Sequence, residues 1–127
     1  CLLCDSIGTA NPLNAEGKVL FIEDVDENPH RIDAMMTHLF NTGILQSAAA
    51  IVVGEMTNTN EKFDPTIGPY TWEEIVKGIL ERVNVPSVIN FPFGHMKNML
   101  SIPFGIRAKL DATTGSLTYL EKPCSPA

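Results

Sequence analysis

Three short runs rich in β-branched and aromatic residues, Lys18 to Glu23 (KVLFIE), Ala50 to Gly54 (AIVVG) and Val85 to Phe91 (VPSVINF), are separated by two segments of helical periodicity. All three predict strands, the first two of them buried. Between the first two, Ile32, Met35, Met36, Leu39 and Phe40 repeat at helical spacing, with Pro29 suited to the first turn and Thr42-Gly43 as the stop. Between the second and third, Thr71-Trp72-Glu73-Glu74 reads as a capping box, followed by Ile75, Val76, Ile79, Leu80 and Val83. Strand, helix, strand, helix, strand is the pattern of parallel strands joined by crossover helices. Gly105 to Leu110 and Ser116 to Leu120 alternate apolar and polar residues around a Thr-Thr-Gly turn and predict a closing β-hairpin. The expected fold is α/β, with a mixed sheet, crossover helices and a C-terminal hairpin.

The 127 residues suffice for one domain. Leu2, Leu3 and Ile7 fit the tail of an amphipathic helix stopped by Gly8. The longest stretch without a charge, Ala34 to Gly54, is interrupted by Thr37, His38, Asn41, Thr42, Gly43 and Gln46, so it is no membrane span. No basic n-region or cleavage site of a signal peptide is read. A net charge of −6 opposes phosphate backbones, so nucleic acid is not an expected partner. The three cysteines, Cys1, Cys4 and Cys124, do not make a disulfide framework. Cys1 and Cys4 form a CxxC without the second pair a zinc site needs, and read as two small buried side chains on a helix.

In α/β sheets the reactive loops lie beyond the carboxyl ends of the strands. Three such loops are expected, beginning at Glu23-Asp24, beginning at Gly54-Glu55, and carrying His95. A carboxylate and a histidine at two strand ends can meet as a general base and the acid that orients it. A strand-end acid can equally cap a helix, and His95 can equally be a surface loop residue. Gly94 before it lets the backbone bend or a ligand approach. His30 and His38 have no evident partner. No HExxH or Gly-rich phosphate loop appears. Ser6, Ser47, Ser87, Ser101, Ser116 and Ser125 all lack the strand-turn-helix context of a nucleophile elbow. The chain therefore carries a base and an orienter without a nucleophile.

Phe21-Ile22-Glu23-Asp24 and Lys122-Pro123 suggest a receiver domain. The next interior strand, however, ends in Gly54-Glu55 rather than Asp, and no helix follows Lys122-Pro123. A non-catalytic α/β ligand-binding domain is the other competing class, and the distance between the Glu23 and His95 side chains discriminates.

Several segments, in order, resemble the C-terminal part of the LD-carboxypeptidase family of serine peptidases, which includes the microcin self-immunity proteins. These are Leu2-Leu3-Cys4-Asp5-Ser6-Ile7-Gly8-Thr9, Gly17 to Val25 (GKVLFIEDV), Glu27 to Asp33 (ENPHRID), Gly43-Ile44-Leu45, Ile51-Val52-Val53-Gly54, Pro92-Phe93-Gly94-His95 and Ile102-Pro103-Phe104-Gly105. His30 departs from a usual aromatic, and Met96-Lys97 follow the histidine where small or polar residues are common. The resemblance implies that Glu23 is the carboxylate and His95 the base of a Ser-His-Glu triad. It implies a swivelling-domain-like C-terminal domain over 1–127, with Cys1 a cut within a helix and the serine on an absent N-terminal domain. It further implies a cytoplasmic homodimer that removes the terminal D-alanine from muropeptide tetrapeptides without metal or cofactor. Asp24 after the glutamate favours the carboxypeptidases over the immunity branch, which hydrolyses peptide–nucleotide conjugates and usually has Ser or Thr there.

Overall fold

In the computed structural model, which describes residues 1–124, the three apolar runs are the parallel strands β1 (Val19–Val25), β2 (Ala50–Thr57) and β3 (Ser87–Phe91), in the order β1-β2-β3. Ser125 lies outside the described residues. The connections carry α2 (Pro29–Asn41), the short α3 (Ile44–Ser47) and α4 (Trp72–Val83). A one-turn helix, α1 (Leu2–Asp5), precedes them, and the antiparallel pair β4 (Ala108–Asp111) and β5 (Ser116–Tyr119) follows.

Both long helices begin and end where local chemistry dictates. Pro29 occupies the first turn of α2, where its missing N–H costs nothing. Beyond its end, Thr42 N–H donates to the His38 carbonyl at 3.1 Å and Gly43 takes the left-handed conformation at φ +77°. At α4, Thr71 Oγ1 accepts from Glu74 N–H while Glu74 Oε2 accepts from Thr71 N–H at 2.8 Å, a complete capping box. Asn84, left-handed at φ +56°, closes that helix.

Both helices cover the same face of the sheet and touch each other. Ile32, Met36 and Leu39 of α2, and Trp72, Val76, Ile79, Leu80 and Val83 of α4, pack on Leu20, Ile22, Ile51, Val53 and Met56. Burying each large aliphatic side chain contributes about 1.5–3 kcal/mol. The first five residues of β2 are all buried, because the strand has a neighbour on each side and cover on both faces. The opposite face carries an aromatic cover. Phe21 meets Phe93 edge-on at 5.2 Å between ring centroids, and Phe104 at 5.6 Å.

The α/β class, the crossover helices and the closing hairpin agree with expectation, while several details differ. β4 and β5 form their own two-stranded sheet, so the antiparallel strands do not extend the parallel one. Phe104 wedges against Phe21, and a cleft of about 520 Å³ lined by Val19, Phe21, Arg107 and Tyr119 separates the hairpin from the edge of β1. β2 continues past Gly54 to Thr57 with Met56 buried, so Gly54 and Glu55 lie within the strand rather than opening a loop. Cys1 is exposed, because α1 is a single turn beside α2; only Cys4 is half-buried, its thiol donating to the Met35 carbonyl. No helix among the described residues is long and apolar enough to cross a membrane.

Candidate active site

Strand alternation aims Leu20 and Ile22 at the helices and Phe21 and Glu23 at the other face. The register of β1 on β2 slips at this point. Ile22 pairs with Val53 but Asp24 pairs with Met56, so Glu23 stands opposite both Gly54 and Glu55. The segment after β3 then crosses over Glu23. Asn90, left-handed at φ +57°, marks a second register slip that redirects the chain. Phe93 is buried and anchors the crossing, its N–H donating to the Phe91 carbonyl at 2.7 Å. Leu100 N–H donates to the Pro92 carbonyl at 2.7 Å and closes the loop.

His95 Nδ1 lies 2.8 Å from Glu23 Oε2. The two residues are 72 positions apart in sequence, so only the β1–β3 topology brings them together. The His95 side chain is 59% exposed and that of Glu23 26% exposed. With Nδ1–H donating to the carboxylate, the neutral imidazole keeps its lone pair on Nε2. The hydrogen bond that the Glu23 carboxylate accepts, and then its charge, raise the His95 pKa above the ordinary 6.5; Asp24 and Asp26 add to this more weakly.

The sign of the consequence follows from linkage. A raised folded-state pKa means that the protonated pair stabilises the fold fully below the unfolded value of 6.5. That contribution disappears as pH rises through the raised value. Because His95 is exposed, the stability effect is small. The expected result is an NMR titration of His95 with its midpoint above those of unpaired histidines, and a slight fall in Tm across the same interval. A midpoint at or below 6.5 contradicts the pairing.

The loops behind Glu23 are tied together. Asp26 N–H donates to the Thr57 carbonyl at 2.9 Å, and Asn58 Nδ2 donates to Asp26 Oδ1 at 3.0 Å. Lys62 Nζ reaches the Asp26 carbonyl. An apolar cleft of about 470 Å³, with Phe21, Met35, Met56 and Phe93 among its walls, opens beside Glu23 and His95.

His30 and His38 are both exposed on α2 and join no site. Asp24 sits beside the pair, its Oδ1 accepting from Val25 N–H. The Ser6, Ser47 and Ser87 hydroxyls donate to the carbonyls of Leu3, Ile44 and Val85, and Ser116 pairs with Thr114. None of these bonds reaches His95. Among the described residues no group of three or more His, Cys, Asp or Glu side chains could hold a metal ion. Sequence reading missed the contact between Gly54 and the histidine loop, for which the only signal was a glycine inside an apolar strand.

Residues 1–110 match the model of the LD-carboxypeptidase C-terminal domain family. A Streptomyces coelicolor protein named as a carboxypeptidase, SCO6489, is 37% identical over 131 residues, covering 98% of this chain and 39% of its own length. A Bacillus subtilis protein named as a murein peptide carboxypeptidase is 31% identical over 111 residues, covering 87% of this chain and 34% of its own. The crystal structure of a muramoyltetrapeptide carboxypeptidase from Oxalobacter formigenes superposes with a TM-score of 0.78 at 30% identity, over 91% of this chain and 39% of that one. The chain thus spans less than two fifths of the length of each.

Proposed function

Because the chain belongs to the LD-carboxypeptidase C-terminal domain family, we propose that Glu23 and His95 are the carboxylate and the base of a Ser-His-Glu triad whose serine is carried by an N-terminal domain outside these 127 residues. The whole enzyme then removes the terminal D-alanine from a cytoplasmic muropeptide tetrapeptide. The observation that carries this reading is the 2.8 Å contact between His95 Nδ1 and Glu23 Oε2, on an imidazole side chain that is more than half exposed. A ligand-binding domain without catalysis would have no use for that pairing on an exposed histidine.

In this reading His95 Nε2 takes the serine proton as the oxygen attacks the carbonyl of the LD bond. Glu23 holds the Nδ1–H tautomer and stabilises the imidazolium that forms. The imidazolium then gives the proton to the D-alanine amine, which leaves. His95 next deprotonates a water that attacks the acyl-enzyme, and returns that proton to the serine as the peptide departs. The N-terminal domain supplies most of the oxyanion hole.

Release of D-alanine from a tetrapeptide muropeptide, followed by chromatography, tests this. The full-length protein is expected to turn over, and the 127-residue chain alone to release nothing. Turnover by the chain alone would refute the division of the triad. A full-length protein that cleaves a peptidyl nucleotide and leaves the muropeptide intact would transfer the same pair to an immunity-type hydrolase.

A further inference from the structure

We propose that Gly54 and Gly94 are positioning residues for His95, Gly94 leaving room for the Glu23 carboxylate and Gly54 for the Phe93 backbone that carries the histidine loop. The proposal rests on the catalytic reading above and adds residues that do not themselves touch substrate.

The chain has nine glycines. A β-carbon built at seven of them meets no atom within 4 Å, whatever their backbone angles. At the other two it collides, at Gly94 with Glu23 and at Gly54 with Phe93. At Gly94 it would lie 2.7 Å from Glu23 Oε2 and 3.1 Å from both Cβ and Cγ. Oε2 is the oxygen that faces His95 Nδ1. A side chain at 94 therefore displaces the acceptor of the hydrogen bond itself. At Gly54 the β-carbon would lie 2.6 Å from the Phe93 carbonyl oxygen, 3.0 Å from Phe93 Cε1 and 3.2 Å from Glu23 Cβ. A side chain there lifts the buried anchor of the loop two residues before His95.

The two positions differ in a useful way. Gly94 has φ +105°, so any L-residue there also strains the backbone. Gly54 has no positive φ, so alanine there acts through space alone. An arrangement in which the histidine loop gives up a side chain at the Glu23 carboxylate, and β2 gives one up beneath Phe93, is more than loop flexibility requires. It sets the two partners of the hydrogen bond, the carboxylate through Gly94 and the loop of His95 through Gly54.

The test is the NMR titration of the His95 imidazole in Gly54→Ala and Gly94→Ala of the full chain, alongside kcat and KM of the same variants in the full-length enzyme. Both variants are expected to lower the His95 pKa toward the ordinary 6.5, since the bond that raises it is lengthened. kcat is expected to fall about 10²-fold with little change in KM, the scale of a 1 Å misplacement. In a Glu23→Gln background, Gly94→Ala should move the His95 pKa no further. If both variants lose stability while His95 titrates as in the wild type, the glycines are structural only and the proposal fails. Should Gly94→Ala not fold, Glu23→Ala/Gly94→Ala is expected to fold, because the colliding Oε2 and Cγ are gone. A double variant that also fails to fold would assign the defect to φ strain and overturn the proposal. The imidazole readout is independent of turnover. Failure of the triad reading would instead appear as full activity in a His95 variant.

Discussion

Replacing His95 by alanine in the full-length enzyme is expected to lower kcat by about 10⁴- to 10⁶-fold, the scale of losing the base of a nucleophilic triad. The argument is local. In the alanine variant the imidazole proposed as the general base is gone, and only the Glu23 carboxylate remains at the site. The fold should survive, because His95 is exposed and its loop is anchored instead by Phe93 and by the Leu100 to Pro92 hydrogen bond. KM should change little. An accompanying collapse of Tm would point to a structural role and away from a catalytic one.

Glu23→Gln should cost about 10⁴-fold in kcat for a different reason. The amide has nearly the shape of the carboxylate and fits against Gly94. Its NH₂ can donate to Nδ1, which holds the imidazole in the tautomer whose proton sits on Nε2, the wrong nitrogen for a base. It also removes the charge that stabilises the imidazolium. Asp24 and Asp26 raise the His95 pKa as well, but more weakly than Glu23 and without a hydrogen bond, so they do not replace it. The His95 pKa should therefore fall in this variant. The limb of the rate profile governed by neutral His95 should move to lower pH as the residual rate is measured. A Glu23→Gln enzyme with wild-type kcat would remove the carboxylate from the mechanism.

Much of this arrangement was legible in the residues. Helical spacing in α2, the capping box of α4 and three compact apolar runs lead to parallel strands joined by crossover helices, while the β1-β2-β3 order and the placing of both helices on one face are seen only in the fold. These are strong local signals that tertiary packing reinforces. The errors fell where a local rule met a long-range contact. Gly54 looked like the end of a strand, yet β2 continues to Thr57, because the missing side chain accommodates the Phe93 carbonyl rather than a turn. A mixed sheet would place the hairpin with the parallel strands, yet β4 and β5 pair only with each other, and Phe104 before them packs edge-on against Phe21. Alternation of apolar and polar residues specifies a strand without naming its partner. At the site, Glu23 and His95 were identifiable from their positions after strands and from family resemblance. Gly94 was read as freedom for the backbone or for a ligand. Its neighbour is instead the chain's own carboxylate, a contact that depends on distances no spacing encodes.

The central claim is that Glu23 acts through His95. The most direct measurement is a double-mutant cycle on kcat in the full-length enzyme, using His95→Ala, Glu23→Gln and the pair together. Groups that act as one unit lose their effect once, so the double variant should be no slower than His95→Ala alone, within a few-fold. Losses that multiply, so that the double variant falls by the product of the two single losses, would mean that the residues act independently and would contradict the account.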